Sequence, residues 1–228
     1  SINNKGEALL NGKLSHESPL ELFQKTLDNW KSESNELSAV GYISYDFKNI
    51  LFPHIAFSNP NSTQPLLWFG KPKLVIPYRI TESELETASP VFRLKKDIPP
   101  PHEYKESIRK IKTALSNGDS YQINFTQPKK FEIIGNPLDI YLSIREMARP
   151  HYGIYLNQKD FQILSFSPEQ FFRTKNRKIE SFPMKGTRPR SNDLIMDERL
   201  AGELFQSVKD RAEHLMIIDL IRNDLGKI

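Results

Sequence analysis

Residues 164–190 read LSFSPEQFFRTKNRKIESFPMKGTRPR, and the interpretation of the whole chain starts from this stretch. Apolar residues alternate with two serines at its beginning, which is typical of a half-buried strand. The polar run Lys175-Asn176-Arg177 predicts a turn, and Ile179–Met184 predicts a second strand whose Pro183 favours an edge position or the strand end. The stretch is therefore predicted to form two strands joined by a turn.

Two ionisable side chains of this stretch are candidates for catalysis. Glu169 follows Ser-Pro at the end of an apolar strand. Lys185 lies between Phe-Pro-Met and a glycine, where partial burial would lower its pKa and expose a neutral, nucleophilic amine. A simpler interpretation stays open, because spacing alone favours an ordinary cross-strand ion pair between the two.

The composition is that of an ordinary globular chain. Its 228 residues are 38% hydrophobic and 26% charged, which is enough for one large or two small domains. The absence of cysteine excludes thiol catalysis, disulfide frameworks and cysteine metal sites. No apolar run approaches the ~20 residues of a membrane span, and no signal peptide is visible. We expect a cytoplasmic protein with no membrane partner.

The chain is mildly basic, with a formal net charge of +4. Such a balance suits nucleic acid or an anionic substrate. There is no arginine-rich arm and no aromatic RNA-binding motif. The densest basic stretch, residues 173–190, is explained by a small anionic ligand as well as by DNA. We expect no nucleic-acid partner, and a non-catalytic basic binding module is the alternative from another class.

Three consecutive prolines, Pro99 to Pro101, mark the best domain boundary, because proline neither continues a helix nor donates to a sheet. They predict an N-terminal subdomain, residues 1–98, and a second domain, residues 99–228. The predicted elements of the subdomain are a helix at 18–30, a strand at 39–47 and a strand-turn-strand at 66–79. Those of the second domain are a helix at 104–117, a strand at 121–126, a helix at 137–149 and paired strands at 151–156 and 161–166.

Residues 196–224 predict one long helix, buried over Leu215–Ile221, where it is apolar nearly all round. Asp210 and Glu213 are three residues apart on it and share a face. Two such carboxylates suit Mg²⁺, a hard ion that takes oxygen ligands, although a solvated charged face is commoner at this spacing. The chain has no Walker, GxGxxG, HExxH or GxSxG motif, so nucleotide binding, zinc proteolysis and serine hydrolysis have no support.

Five motifs together resemble the chorismate-utilising enzymes. They are GYISYD at 41–46, GDSYQIN at 118–124, SPEQF at 167–171, PMKGTRPR at 183–190 and KDRAEHLMIIDLIRNDLG at 209–226. The last two are highly specific together, and their order and spacing agree with the family. The resemblance is strong from residue 99 to 228 and weak before it. It is closest to the branch that contains component I of aminodeoxychorismate synthase.

The resemblance implies an α+β fold in which two β-sheets pack face to face with helices outside. It implies chorismate as substrate, Mg²⁺ as cofactor and ammonia supplied by a glutamine amidotransferase subunit. In that branch, chorismate and ammonia give 4-amino-4-deoxychorismate for p-aminobenzoate and folate biosynthesis. The family's catalytic domain continues past the Asn-Asp-Leu-Gly motif. We therefore expect an incomplete fold, with the C-terminal remainder of the domain absent and the 228-residue chain inactive alone.

The matching motifs also imply roles for single residues of this chain. Glu169 would be the acid/base carboxylate. Lys185 would be the active-site lysine, either bonded covalently to chorismate or holding a substrate carboxylate as a cation. Glu213, together with Asp210, would bind Mg²⁺.

Gln122 would mark the amine-adding branches, and with Gly186 and Thr187 it would contact the substrate. The nearest enzymatic alternative is component I of anthranilate synthase. That group usually has alanine at the position of Lys185 and carries a Leu-Leu-Glu-Ser motif near its N-terminus. Here Leu9-Leu10 is followed by Asn-Gly, so the motif is missing.

Overall fold

The computed structural model describes residues 1–33, 39–57, 64–77, 91–97 and 101–228. They belong to two compact units, Ser1–Glu84 and Leu85–Ile228. The prolines that predict a boundary begin at 99, and residues 98–100 lie outside the described residues. The division into 1–98 and 99–228 therefore stays a prediction.

The first unit combines short strands with one amphipathic helix. Its elements are β1 (Leu9–Leu10), β2 (Lys13–Leu14), α1 (Pro19–Glu33), β3 (Val40–Ile43), a 3₁₀ turn (Tyr45–Phe47), α2 (Lys48–Leu51) and β4 (Leu67–Gly70). Strands β1 and β2 form a hairpin, and β3 pairs antiparallel with β4. The core of the unit consists of Ile2, Phe47, Leu66 and Leu67.

Two predictions for this unit are corrected by the structure. The strand predicted at 39–47 ends at Ile43, because the chain turns into the 3₁₀ turn that buries Phe47. Of the strand-turn-strand predicted at 66–79, only the first strand forms among the described residues. Helix α1 begins at Pro19 as predicted, since proline suits the first helical position.

The second unit alternates helices with antiparallel hairpins. Its elements are β5 (Val91–Asp97), α3 (Pro101–Asn117), β6 (Lys129–Ile134), α4 (Pro137–Ala148), β7 (Tyr152–Asn157), β8 (Gln162–Ser167), β9 (Arg173–Lys175), β10 (Lys178–Glu180), α5 (Leu194–Gln206) and α6 (Val208–Leu225). The pairs are β5 with β6, β7 with β8, and β9 with β10. Strands β5 and β6 lie in segments for which the sequence pattern predicted none.

The predicted turn at Lys175-Asn176-Arg177 is present and joins β9 to β10. Asn176 and Arg177 have φ of 50° and 63°, the left-handed pair that a two-residue hairpin loop requires. Strand β10 ends at Glu180, four residues before the predicted end at Met184. Pro183 cannot donate to a ladder, so the chain from 181 to 193 runs without regular structure.

The single helix predicted over 196–224 is wrong, because the chain forms two helices that break at Ser207. Its backbone is extended, with φ −63° and ψ 109°. Its hydroxyl accepts a hydrogen bond from the Asp210 amide at 3.3 Å, which caps the start of α6. Leu215–Ile221 were predicted to be buried only if the remainder of the domain covers them, and in this chain Leu215 is exposed and no residue of α6 is buried.

The strand predicted at 121–126 does not form. The segment is extended but pairs with no strand among the described residues. Its two faces contact helices instead. The ring of Phe125 lies 5.6 Å from that of Tyr104 on α3, and Gln122 reaches α6. The alternation of apolar and polar residues at 121–126 thus reflects an extended segment that contacts helices on both faces, rather than a strand paired in a sheet.

The predicted α+β class describes the chain, and its strands pair two by two in five small sheets within the described residues. Packing in the second unit centres on α4 and the β7–β8 hairpin. Ile140 and Tyr141 are buried there, and the Tyr141 ring stacks on Phe166 at 5.2 Å. No helix in the described part of the chain is both long and apolar enough to cross a bilayer.

Candidate active site

Three polar side chains from distant segments meet on helix α6. The Nε2 of Gln122 donates to Oε1 of Glu213 at 3.0 Å across 91 residues of sequence. The Nζ of Lys185 lies 4.0 Å from the same oxygen. Glu213 is itself a predicted metal ligand. Its carboxylate therefore lies beside a predicted substrate-binding residue, Gln122, and a predicted catalytic residue, Lys185.

Local structure holds Gln122 toward α6. Helix α3 ends at Asn117, where Gly118 takes φ +80° and turns the chain out of the helix. The Ser120 hydroxyl then donates to the Gln122 carbonyl at 3.0 Å. This contact stiffens the backbone around Gln122, whose half-buried amide points at Glu213.

Lys185 is partly buried and borders a groove along two helices. Its side chain is 25% exposed. Phe182 and Met184, expected to desolvate it, are themselves 63% and 50% exposed. Lys185 lines a groove of about 780 Å³ along α5 and α6, to which Leu204 and Val208 contribute apolar walls.

Glu169 does not form the simple ion pair with Lys185 that spacing favoured. Its Oε1 accepts a hydrogen bond from the amide of Met184 at 3.1 Å. The Ser167 hydroxyl accepts a hydrogen bond from the Glu169 amide and donates one to the Glu169 carbonyl. These two contacts fix the turn after β8. Glu169 is exposed, so the described residues do not enclose it in an apolar pocket. It is nonetheless tied to the backbone one residue before Lys185.

Gly186 and Thr187 follow Lys185 on a loop that lies against α5 and α6. Gly186 has φ +78°, and a Cβ there would lie 2.9 Å from Leu204 Cδ1 and 3.0 Å from Asp210 Cβ. The positive φ and the close approach to protein atoms explain why a glycine is needed at position 186. This explanation is independent of the predicted contact with the substrate ring. Thr187 is exposed, and its carbonyl accepts from Arg188 at 2.8 Å.

Asp210 lies in the first turn of α6 and holds a cation. Its Oδ2 is 2.9 Å from Nη2 of Arg188. The hydrogen bond with Ser207 and the guanidinium of Arg188 lower the pKa of Asp210 below its ordinary value. Arg188 had no role in the sequence interpretation, because nothing local in PMKGTRPR points to a partner 22 residues away.

The predicted magnesium ligands differ in their surroundings. No group of three histidine, aspartate or glutamate residues in the described part of the chain is placed to hold a metal ion. Glu213 offers a half-exposed carboxylate, which suits Mg²⁺ because this ion often takes only one or two protein carboxylates. Asp210 already has Arg188 as its counter-ion. On donor chemistry, Glu213 fits the ion better than Asp210.

His214 is not among the predicted site residues, since a lone histidine beside Glu213 is more often a surface or core residue than a ligand, but it borders two grooves. It lines the groove beside Lys185 and a second one, about 700 Å³, between α6 and residues 179–183. Its position next to Glu213 on α6 is the only local signal that could have suggested it. Both grooves have the dimensions of small-molecule sites.

Comparison with known proteins identifies relatives. Residues 2–228 match the family model described as chorismate binding enzyme. Over 126 residues the chain is 40% identical to aminodeoxychorismate synthase component 1 of Salmonella typhimurium, which is 55% of this chain and 28% of that protein. The protein of the same name from Bacillus subtilis is 38% identical over 125 residues, 55% of this chain and 27% of the relative.

Anthranilate synthases are also similar. Component 1 from Saccharolobus solfataricus is 35% identical over 127 residues, 56% of this chain and 30% of the relative. The crystal structure of component I from Streptococcus pneumoniae TIGR4 matches with a TM-score of 0.78 and 22% identity, over 98% of this chain and 58% of that one. This likeness confirms the predicted fold. The matched segment spans little more than a quarter of the curated relatives' length. Since the family model extends over nearly the whole sequence, this chain belongs to the chorismate binding enzyme family.

Proposed function

We propose that this chain provides part of the active site of an aminodeoxychorismate synthase component I, which exchanges the C4 hydroxyl of chorismate for an amine. The observation that carries the proposal is the meeting of Lys185 and Gln122 on the Glu213 carboxylate. A lysine at this position is what distinguishes the resembling branch from anthranilate synthase. The names of the relatives that share 38–40% identity with the chain support the same branch.

In the proposed reaction Lys185 is the nucleophile of the first step. Its neutral amine forms a bond to C2 of chorismate, the ring double bonds shift, and the C4–O bond breaks. The protonated carboxyl of Glu169 donates to the departing oxygen, which leaves as water. Splitting the exchange in two avoids expelling a free hydroxide ion. The backbone contact of Glu169 at Met184 supports this role, because it anchors the carboxyl next to the lysine in sequence.

Ammonia completes the exchange in the second step. It bonds to C4, the double bonds shift back, and the C2–N bond to Lys185 breaks. The proton that the new amine loses returns to the Glu169 carboxylate. Gln122 cannot take a proton from water at neutral pH, but its amide oxygen can accept a hydrogen bond from ammonia and orient it. Its Nε2 is already directed at Glu213, which leaves that oxygen for the incoming amine.

We also propose Mg²⁺ as the cofactor, with Glu213 as the ligand that these residues supply. When bound, the ion would neutralise a ring carboxylate of chorismate and fix its position. The protein's own part is to hold the Glu213 carboxylate in place, which Gln122 does through its hydrogen bond at 3.0 Å. Ammonia would come from a glutamine amidotransferase subunit. The pathway would be that of p-aminobenzoate and folate.

Product analysis tests the proposal. The full gene product that contains residues 1–228 should convert chorismate, an ammonium salt and Mg²⁺ into 4-amino-4-deoxychorismate, identified by liquid chromatography and mass spectrometry. Isochorismate as the main product would contradict the role of Gln122, because it would mean that water adds instead of ammonia. No turnover of chorismate would refute the proposal as a whole.

Anthranilate synthase is the second candidate, because relatives with that name share up to 35% identity among those compared and one shares the fold. The same assay separates the two, since anthranilate and aminodeoxychorismate differ in mass. Lys185 favours the first candidate, and anthranilate as the main product would establish the second.

A further inference from the structure

The loop that carries Lys185 makes several contacts with one residue of helix α6, Asp210. Arg188 Nη2 lies 2.9 Å from Asp210 Oδ2. Gly186 approaches so closely that a Cβ would be 3.0 Å from Asp210 Cβ. The Asp210 amide is held by the Ser207 hydroxyl at 3.3 Å. Asp210 thus contacts the loop through its side chain and the helix cap through its amide. It can therefore transmit the position of α6 to the loop.

Both ends of residues 185–188 are thereby attached to the same helix face. Lys185 faces Glu213 at 4.0 Å, and Arg188 faces Asp210 at 2.9 Å. Asp210 and Glu213 are three residues apart, so their side chains are neighbours on the helix. The distance from the Lys185 amine to Glu213 therefore depends on where Arg188 is held.

We propose that Arg188 and Asp210 are positioning residues, which clamp the 185–188 loop onto α6 and so set the Lys185 amine beside Glu213. For its catalytic consequence this rests on the proposed function. It replaces the interpretation of Asp210 as a magnesium ligand, because Asp210 is hydrogen-bonded to Arg188 at 2.9 Å, whereas the Lys185 amine lies 4.0 Å from Glu213, beyond hydrogen-bond distance. The clamp itself is a property of the fold and is testable without substrate.

A closely matched pair in the chain serves as control. Arg190 lies on the same loop as Arg188, and its Nη2 is 2.7 Å from Asp197 Oδ2. Asp197→Asn therefore removes the aspartate partner of another arginine of this loop. Arg190 and Asp197 do not contact Lys185 among the described residues. Any effect confined to Asp210→Asn therefore belongs to the clamp and not to the general loss of an ion pair.

Kinetics of the full gene product form the first arm of the experiment. Asp210→Asn and Arg188→Gln should each lower kcat by about 10- to 100-fold, as expected when a reacting group is misplaced by about an ångström. The Mg²⁺ activation constant should stay within about twofold, and the double variant should be no worse than either single one. Asp197→Asn should leave both kcat and the Mg²⁺ activation constant unchanged. An Asp210→Asn variant that needs much more Mg²⁺, or additive losses in the double variant, would overturn the clamp.

Lysine labelling without substrate or metal forms the second arm. Acetylation at one fixed pH, mapped by peptide mass spectrometry, compares Lys185 with the exposed reference Lys178. Lys185 should react several-fold more slowly than Lys178 in the parent, and Asp210→Asn should remove most of that difference. Arg188→Lys, which keeps the positive charge, should restore part of the protection and serves if the other variants fail to fold. Unchanged labelling in folded variants refutes the clamp, whereas a labelling change without chorismate turnover refutes only the proposed function.

Discussion

At the scale of single residues, Lys185 has two chemical roles open to it. As a neutral amine it can bond to chorismate, and as a cation it can hold a substrate carboxylate. The Glu213 carboxylate, 4.0 Å from the amine, is an electrostatic partner for the cation, and Lys185 also lines the groove along α5 and α6. The two roles differ in whether the protein carries a substrate-derived mass.

Lys185→Ala is expected to abolish a covalent adduct. With chorismate and Mg²⁺ but no ammonia, the parent full gene product should gain a chorismate-derived mass on the peptide that contains Lys185. The alanine variant should gain none and should form aminodeoxychorismate on the order of 10²-fold more slowly or worse. It could also let ammonia enter at C2, as in anthranilate synthase. An unmodified parent together with a nearly normal rate in the variant would leave the lysine no covalent role.

Glu213→Gln is expected to raise the Mg²⁺ requirement while the fold is retained. The substitution keeps the size of the side chain and removes its charge, so the activation constant for Mg²⁺ should rise at least ~10-fold. Glu203→Gln is the matched control, because Glu203 on α5 forms an ion pair with the exposed Arg199. A magnesium titration that coincides with that of the parent would remove Glu213 from the metal site.

At the scale of elements, Ser207 decides that α5 and α6 are separate helices. Ser207→Ala removes the hydroxyl that caps α6 and should lower the free energy of unfolding by about 1 kcal/mol. Ser107→Ala on α3 is the control, since that hydroxyl donates to the Glu103 carbonyl within the helix and alanine is the better helix former. Urea unfolding of residues 1–228 followed by circular dichroism measures both. Equal stability of the two variants would mean that the cap contributes nothing.

The start of α5 should make stability depend on pH. Hydrogen bonds from Arg190 and from the Ser191 amide hold the pKa of Asp197 below its ordinary value. A carboxyl whose pKa is lower in the folded state stabilises the protein above its unfolded pKa, about 3.9, and loses that effect as the pH falls through the folded pKa. The difference in thermal midpoint between the parent and Asp197→Asn should therefore be present at pH 6 and shrink below about pH 4. A difference that grows on acidification would reverse the sign of this linkage.

What the sequence predicted at this scale depended on local signals. Gly118 ends α3, and the Asn176-Arg177 turn forms β9–β10, because each is decided by the backbone preference of one or two residues. The break at Ser207 was missed, because apolar spacing continues across it and serine is only mildly unfavourable within a helix. The contact of Gln122 with Glu213 spans 91 residues, and no local pattern encodes it. Family motifs supplied the candidate site residues, but not the pairing of Arg188 with Asp210.

At the scale of the whole molecule, burial is confined to small clusters. In the first unit the core is Ile2, Phe47, Leu66 and Leu67, and in the second the buried residues are Ile140 and Tyr141 among those described. Helix α6 instead presents Leu215, Ile218 and Leu220 to solvent. Apolar surface left in water contributes nothing to folding and favours association between chains.

Two alanine substitutions in the second unit test this distribution. Ile140 is 2% exposed, so Ile140→Ala should cost about 2–5 kcal/mol of unfolding free energy. Leu215 is 60% exposed, so Leu215→Ala should change stability by no more than about 0.5 kcal/mol and should reduce binding of a hydrophobic dye by residues 1–228. Urea unfolding at two protein concentrations measures both effects. If Leu215→Ala costs as much as Ile140→Ala, this face of α6 is covered in solution, and a loss that grows with protein concentration would identify a second copy of the chain as the cover.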